Sequence, residues 1–117
     1  MFYRVRSLEK NEELKKEIEA VIKTFPPEEK FCLSFQLRKS SRGVNSNIAE
    51  GHGRYTYPDR TNFCIMGRGS LSETHNHLID AFDLGYITKE RLDDLHGKIQ
   101  EVQRLLNGYI NWLKKFK

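Results

Sequence analysis

The sequence predicts an all-α protein, an antiparallel up-and-down four-helix bundle in one domain spanning residues 1–117. Two observations predict it. Apolar residues recur at steps of three and four along much of the chain, whereas nothing alternates usefully with period two and no Asn-Gly or Asp-Gly turn separates β-branched runs. At 117 residues, with 38% hydrophobic and 31% charged side chains and only 3 prolines, the chain suits a single domain whose helices are mostly one-sided.

The first helix is marked by Leu14, Ile18, Val21, Ile22 and Phe25, spaced as an amphipathic stripe in a Lys/Glu-rich segment that stops at "FPP". It is expected to be short. A second helix runs from Glu28 to about Ala49, with Leu33, Leu37, Ser41, Val44 and Ile48 on its core face. Phe31, Phe35, Arg38, Arg42, Asn45 and Ala49 fall on another face, turned by more than about 90°. A lone bundle needs one apolar stripe per helix, so Phe31 and Phe35 predict a covered surface, and self-association is the economical way to cover it.

A third helix is expected from about Pro58 to Leu84. The stretch "RGVNSNIAEGHGR", Arg42 to Arg54, joins it to the second, and Gly51 and Gly53 are expected to form an exit that uses positive φ. Gly85 closes the third helix and Thr88 caps the fourth, where Leu92, Leu95, Ile99, Val102, Leu106, Tyr109, Leu113 and Phe116 form a heptad seam. Leu105, Ile110 and Trp112 widen that seam beyond a two-stranded coiled coil, which predicts burial among several helices. Short corners at 26–27 and 85–87 make sequential helices antiparallel. Ser40, Ser41, Gly43 and Ser46 on the second helix, and Gly67, Gly69, Ser70 and Ser72 on the third, predict close backbone approach, because each mid-helix glycine costs about 1 kcal/mol relative to alanine.

The formal net charge is +4, and its distribution matters more than its size. Residues 1–30 balance their charges, but Arg38, Lys39, Arg42, Arg54 and Arg60 outnumber Glu50 and Asp59, and no acid follows Glu101. Lys114, Lys115 and Lys117 end the chain. With Tyr55 and Tyr57 between Arg54 and Arg60, these basic segments suit phosphate contacts and base stacking. Salt bridges between subunits and tyrosines packed over the bundle end would use the same residues differently.

Other motifs carry less. "MGRGS" lacks the strand and the Gly-Lys-Ser/Thr that a phosphate loop requires, so helix packing explains it. His75 and His77 in "HNH" point about 200° apart on a helix and cannot readily hold one ion. No Glu-x-x-His occurs, and Asp93 with His96 offers a single Asp-x-x-His, short of a di-metal bundle's ligand set. Glu50 and His52 flank a glycine with no nucleophile beside them. Cys32 and Cys64 lie in apolar runs without ligand spacing and are expected to be reduced and buried. No apolar run approaches the ~20 residues of a membrane span, and the amino terminus turns charged too soon for a signal peptide, so the chain is expected in the cytoplasm.

"FPPEEK", "QLRKS", "SNIAEGHGR", "RGSLSE" and "DLGYI", in this order between Phe25 and Ile87, resemble the four-helix bundle family of 23S rRNA intervening-sequence proteins. The resemblance implies a homopentamer, kinship with accessory proteins of diversity-generating retroelements that partner a reverse transcriptase and contact nucleic acid, and no enzymatic activity. It departs from the family pattern at Asn45, where a proline is frequent, and at His52, where an aromatic residue is frequent.

Residues and resemblance together predict a non-enzymatic oligomer without metal or cofactor. It would bind structured RNA or DNA through Arg38, Lys39, Arg42, Arg54, Arg60, Lys114 and Lys115, and self-associate through Phe31 and Phe35. The rival reading is a protein-interaction scaffold whose partner is a reverse transcriptase or another ribonucleoprotein component. A metal-dependent enzyme is a third.

Overall fold

A computed structural model describes residues 2–116; Lys117, counted above with the basic carboxyl end, lies outside the described residues. Helices α1 (Phe2–Ile22), α2 (Leu33–His52), α3 (Tyr57–Asp83) and α4 (Lys89–Leu113) follow one another, with a 3-10 turn at Pro27–Glu29, and no strand occurs among the described residues. Each helix packs on two neighbours in a ring α1–α2–α3–α4, and among the described residues the backbones of diagonal helices do not approach one another, their side chains meeting in one shared core. Every neighbouring pair is antiparallel: Glu19 meets Arg38 while Glu12 meets Asn45, Gly51 meets Phe63 while Ser40 meets Thr74, and His75 meets His96 while Tyr57 meets Phe116. The result measures 47 × 26 × 18 Å.

The core follows the predicted stripes. Leu33, Leu37, Ser41, Val44 and Ile48 of α2 are buried, as are Leu92, Leu95, Ile99, Val102, Leu105, Leu106, Tyr109, Ile110 and Leu113 of α4. Phe116 is an exception, since α4 ends at Leu113 and its ring lies beyond, partly exposed against Tyr57 and Trp112.

Helix α1 is not short: it spans 21 residues. Its first half escapes a count of apolar residues because the positions facing inward include Ser7 and Asn11, both fully buried. Ser7 donates to the carbonyl of Arg4 at 2.9 Å and Asn11 Nδ2 donates to that of Ser41 at 3.2 Å, so the donors of both buried side chains find partners, whereas Asn11 Oδ1 is buried without one. Tyr3 completes the contact with its ring against Gly108 of α4, where a Cβ would stand 2.6 Å from Cε1.

The corner between α1 and α2 is longer than Pro26–Pro27 alone, because residues 23–32 turn through the 3-10 segment before α2 starts at Leu33. That shift corrects the expectation for Cys32, which precedes the first turn of α2 and is exposed. Cys64 is buried and free, and burial pushes its thiol pKa up to about 11.

The exit from α2 also differs from expectation. The helix continues to His52, and Gly53 has φ −78°, so no positive φ is used there. Gly51 serves packing instead: a Cβ would lie 2.8 Å from Phe63 Cβ and 3.1 Å from the Arg60 carbonyl. Farther along the seam, a Cβ on Gly43 would meet Ser70 Oγ at 2.9 Å and one on Gly67 the Val44 carbonyl at 3.2 Å. Gly69 breaks the pattern, with nothing within 4 Å of where its Cβ would be. Gly85, at φ +80°, ends α3 in a Schellman motif, with Tyr86 N–H donating to Ala81 O and Gly85 N–H to Phe82 O.

Candidate nucleic-acid interface

Antiparallel packing divides the predicted basic residues between two places. At one end of the bundle, α2 finishes and α3 begins within residues 53–56, where Thr56 caps α3 by accepting from Asp59 N–H at 3.2 Å. Close approach at Gly51 holds these two helix ends together. Arg60 then reaches back, its Nε donating to the Arg54 carbonyl at 2.8 Å while its guanidinium lies 5.1 Å from the Tyr57 ring centre. Arg54 rests over Phe63 at 4.5 Å and pairs with Glu50 at 3.0 Å. Both partners of that pair are about half exposed, so it holds the guanidinium weakly and leaves it available to a second anion.

Helix α4 ends at the same place. Tyr57 stacks on Phe116 with ring centres 4.6 Å apart, which brings Lys114 and Lys115, just before it in the chain, to the rim of this end. Tyr55 projects from the turn at 96% exposure. Two further groups, Arg4 and His52, join here without having been marked for binding by the sequence. Arg4, at the start of α1, is the main cause of a lowered His52 pKa, followed by burial and Arg60. A histidine that resists protonation at an exposed helix end reports a local excess of positive charge.

Arg38, Lys39 and Arg42 do not join this group, because they lie nearer the middle of α2. Arg38 faces α1 and forms a bidentate pair with Glu19, with Nε 3.0 Å from both carboxylate oxygens and Nη2 2.7 Å from Oε1. That pair lowers the Glu19 pKa, and burial only partly opposes it. Arg42 lines the same groove between α1 and α2, beside Lys15 and Lys16, and Lys39 is exposed on the adjacent face. Phe31 and Phe35 sit toward the opposite end, 82% and 51% exposed, and Leu84 from the α3–α4 turn is 55% exposed there. Phe31 itself precedes α2, so the two phenylalanines do not share a helix face.

The histidines separate as their spacing requires. His77 Nδ1 lies 4.0 Å from Asp80, while His75 stacks against His96 of α4. Among the described residues no three His, Cys, Asp or Glu side chains gather to hold a metal ion, and no helix is long and apolar enough to cross a membrane.

Residues 4–108 match the family described as 23S rRNA-intervening sequence protein. The chain belongs to that family. Membership agrees with the four-helix bundle and with the motifs between Phe25 and Ile87, and the family description assigns no activity. The 23S rRNA-intervening sequence fold is also similar to a crystal structure of a protein of unknown function from the S23 ribosomal protein family of Bacteroides thetaiotaomicron. The likeness has a TM-score of 0.84 at 23% identity and covers 94% of this chain and 99% of that one. No curated protein matches the chain.

Proposed function

We propose that this member of the 23S rRNA-intervening sequence family is a non-enzymatic protein that binds structured nucleic acid, RNA or DNA, at the basic end of its bundle. One observation carries the reading: Arg54, Arg60, Lys114 and Lys115, from three separate segments, gather near an exposed tyrosine while, among the described residues of this end, only Glu50 and Asp59 oppose them. Phosphates would engage the cations, and Tyr55 offers a stacking face for an unpaired base. Arginines braced on Phe63 and Tyr57 lose less freedom on binding than free side chains would.

The exposed phenylalanines favour a second, compatible reading of the opposite end as a protein contact. A further copy of the chain is the expected occupant, and the pentamer implied by the family resemblance is the expected assembly. A reverse transcriptase or ribonucleoprotein component is the alternative partner, recognised by its survival in pull-downs from nuclease-treated lysate.

Fluorescence anisotropy with a labelled RNA hairpin and a DNA duplex, titrated across salt concentrations, tests the principal reading. Affinity should fall steeply with salt, and Arg54→Ala with Arg60→Ala should weaken it while circular dichroism stays helical. Binding that ignores salt, or ignores these substitutions, would dispose of it.

A further inference from the structure

Tyr55 differs from the other aromatic residues around it at the basic end. Tyr57 stacks on Phe116 with ring centres 4.6 Å apart, Trp112 meets Phe116 edge-on at 4.8 Å, Arg60 lies over Tyr57, and Arg54 lies over Phe63. Those rings tie the end of α4 to the start of α3 and brace two guanidinium groups. Tyr55, by contrast, is 96% exposed, and among the described residues it has no ring, cation or hydrogen-bond partner. A tyrosine left open to water contributes little to the bundle, since an aromatic ring stabilises where it is covered.

The backbone that carries this ring is nevertheless fixed on both sides. Arg54 N–H donates to the Gly51 carbonyl at 3.1 Å, Arg60 Nε donates to the Arg54 carbonyl at 2.8 Å, and Thr56 caps α3 by accepting from Asp59 N–H. The turn at residues 53–56 therefore presents Tyr55, next in the chain to Arg54, at little further cost in backbone entropy on binding. A ligand that uses both the ring and the cations must carry a planar face beside anionic groups.

An intact duplex does not meet that description. Its bases are covered above and below by neighbouring pairs and show only their edges in the grooves, so its phosphates can reach the cations while Tyr55 stays bare. An unpaired base has a free face with a phosphate on either side. Resting on the nucleic-acid reading proposed above, we infer that the basic end selects nucleic acid with unpaired bases, in a loop, a bulge or a single-stranded end. One such base stacks on Tyr55 while its flanking phosphates engage Arg54 and Arg60. The selection is for an exposed base face and tolerates any sequence, because every base has one.

Three fluorescently labelled RNAs test this: a duplex with a central bulge of unpaired nucleotides, the same duplex with the bulged positions abasic, and the bulge-free duplex. They share their ends, and the first two share every phosphate. By anisotropy at one low salt concentration, the full-length protein should bind the bulged RNA about 5- to 150-fold more tightly than its abasic counterpart, the worth of one stacked base. Tyr55→Ala, which removes a fully exposed ring and so leaves the packing intact, should lose that preference and keep the parent's affinity for the bulge-free duplex. Tyr55→Phe should retain the preference, because stacking needs the ring and not the hydroxyl. If none of the three RNAs binds, the nucleic-acid reading itself fails and this selection with it. If they bind but the abasic bulge is held as tightly as the intact one, or Tyr55→Ala keeps the preference, the selection for unpaired bases alone is overturned.

Discussion

At one end of the bundle α1 and α3 begin and α2 and α4 finish; at the other, the same helices exchange roles. Each end therefore presents two helix N-termini and two C-termini, and the backbone dipoles largely cancel at both. The first end nevertheless gathers Arg4, Arg54, Arg60, Lys114 and Lys115 against Glu50 and Asp59. The second carries Glu28, Glu29, Asp80, Asp83, Glu90 and Asp93 beside Lys23, Lys30, Lys89 and Arg91, with Phe31, Phe35 and Leu84 exposed among them. Since the backbone supplies no asymmetry, side chains drawn from segments far apart in sequence supply all of it. The proposed division between an anion-binding end and a protein-binding end would therefore need no second domain.

Paired substitutions give the largest effect and the clearest way to break that division. Replacing Arg54, Arg60, Lys114 and Lys115 with alanine should lower the slope of log affinity against log salt by about 3 to 4 for duplex DNA, near 0.9 for each phosphate that is no longer neutralised. Sedimentation of this variant should match the parent. Phe31→Ser with Phe35→Ser should do the reverse, shifting the sedimentation coefficient toward monomer and leaving the salt slope of a monomeric reference unchanged. If both variants move both readouts, nucleic acid binds across the oligomer and the ends do not act separately.

Two glycines sharpen the comparison next, because each tests whether close packing is localised. Gly51→Ala puts a methyl group 2.8 Å from Phe63 Cβ and near the Arg60 carbonyl, where the backbone cannot move aside cheaply. It should destabilise the chain by about 1–3 kcal/mol, the usual cost of overpacking, and disturb Arg60 and Arg54 with it. Gly69→Ala meets open space and should stabilise by up to about 1 kcal/mol through helix propensity alone. Urea denaturation of both variants checks the sign of each change.

The pattern of what the sequence disclosed follows the same physics. Periodicity reports which side of a helix faces inward, so the core stripes of α2 and α4 were legible apart from Phe116, which lies beyond the end of α4, and the small buried Ser34 and Ser40 of α2. It does not report which side chains meet across a seam. Arg38 was legible as basic, but its pairing with Glu19 depends on the register of α1 against α2, which is set by the length of the 23–32 corner. The meeting of His75 with His96 is hidden for a similar reason, although folding α3 back about the turn at Tyr86 places residue 75 opposite about residue 97. The amino-terminal half of α1 stayed hidden because Ser7 and Asn11 bury polar side chains with hydrogen bonds, a solution that hydropathy cannot count. Cys32 was misplaced because residues 28–32, helical by their pattern, belong to the corner instead.

Arg38 offers a smaller test, set between the two ends. Both members of its pair are about one-third exposed, so Arg38→Ala should cost no more than about 1 kcal/mol. Its effect on nucleic-acid affinity should be slight. Arg38 lowers the Glu19 pKa, and a lowered carboxylate pKa stabilises the fold above the unfolded value near 4.5. The advantage of the parent over Arg38→Ala, measured by denaturation, should therefore be present at neutral pH and disappear as pH falls through the folded pKa of Glu19.

The least of these effects belongs to His52, and it bears most directly on where phosphates sit. Its pKa is held below 6.5 chiefly by Arg4, then by burial and by Arg60. The unfolded chain accordingly takes up the proton first as pH falls, so the fold loses stability from 6.5 downward until the folded pKa is passed, and regains it on return. A phosphate bound among Arg4, Arg54 and Arg60 would offset that repulsion and raise the His52 pKa, so binding at this end takes up a fraction of a proton as pH falls from neutrality past the ordinary histidine value. Affinity measured at constant ionic strength should then increase as pH is lowered across that range, and His52→Gln should remove the increase while leaving the salt slope at about pH 8 intact. An increase that persists in His52→Gln would place the phosphates beside another titrating group and away from the basic end.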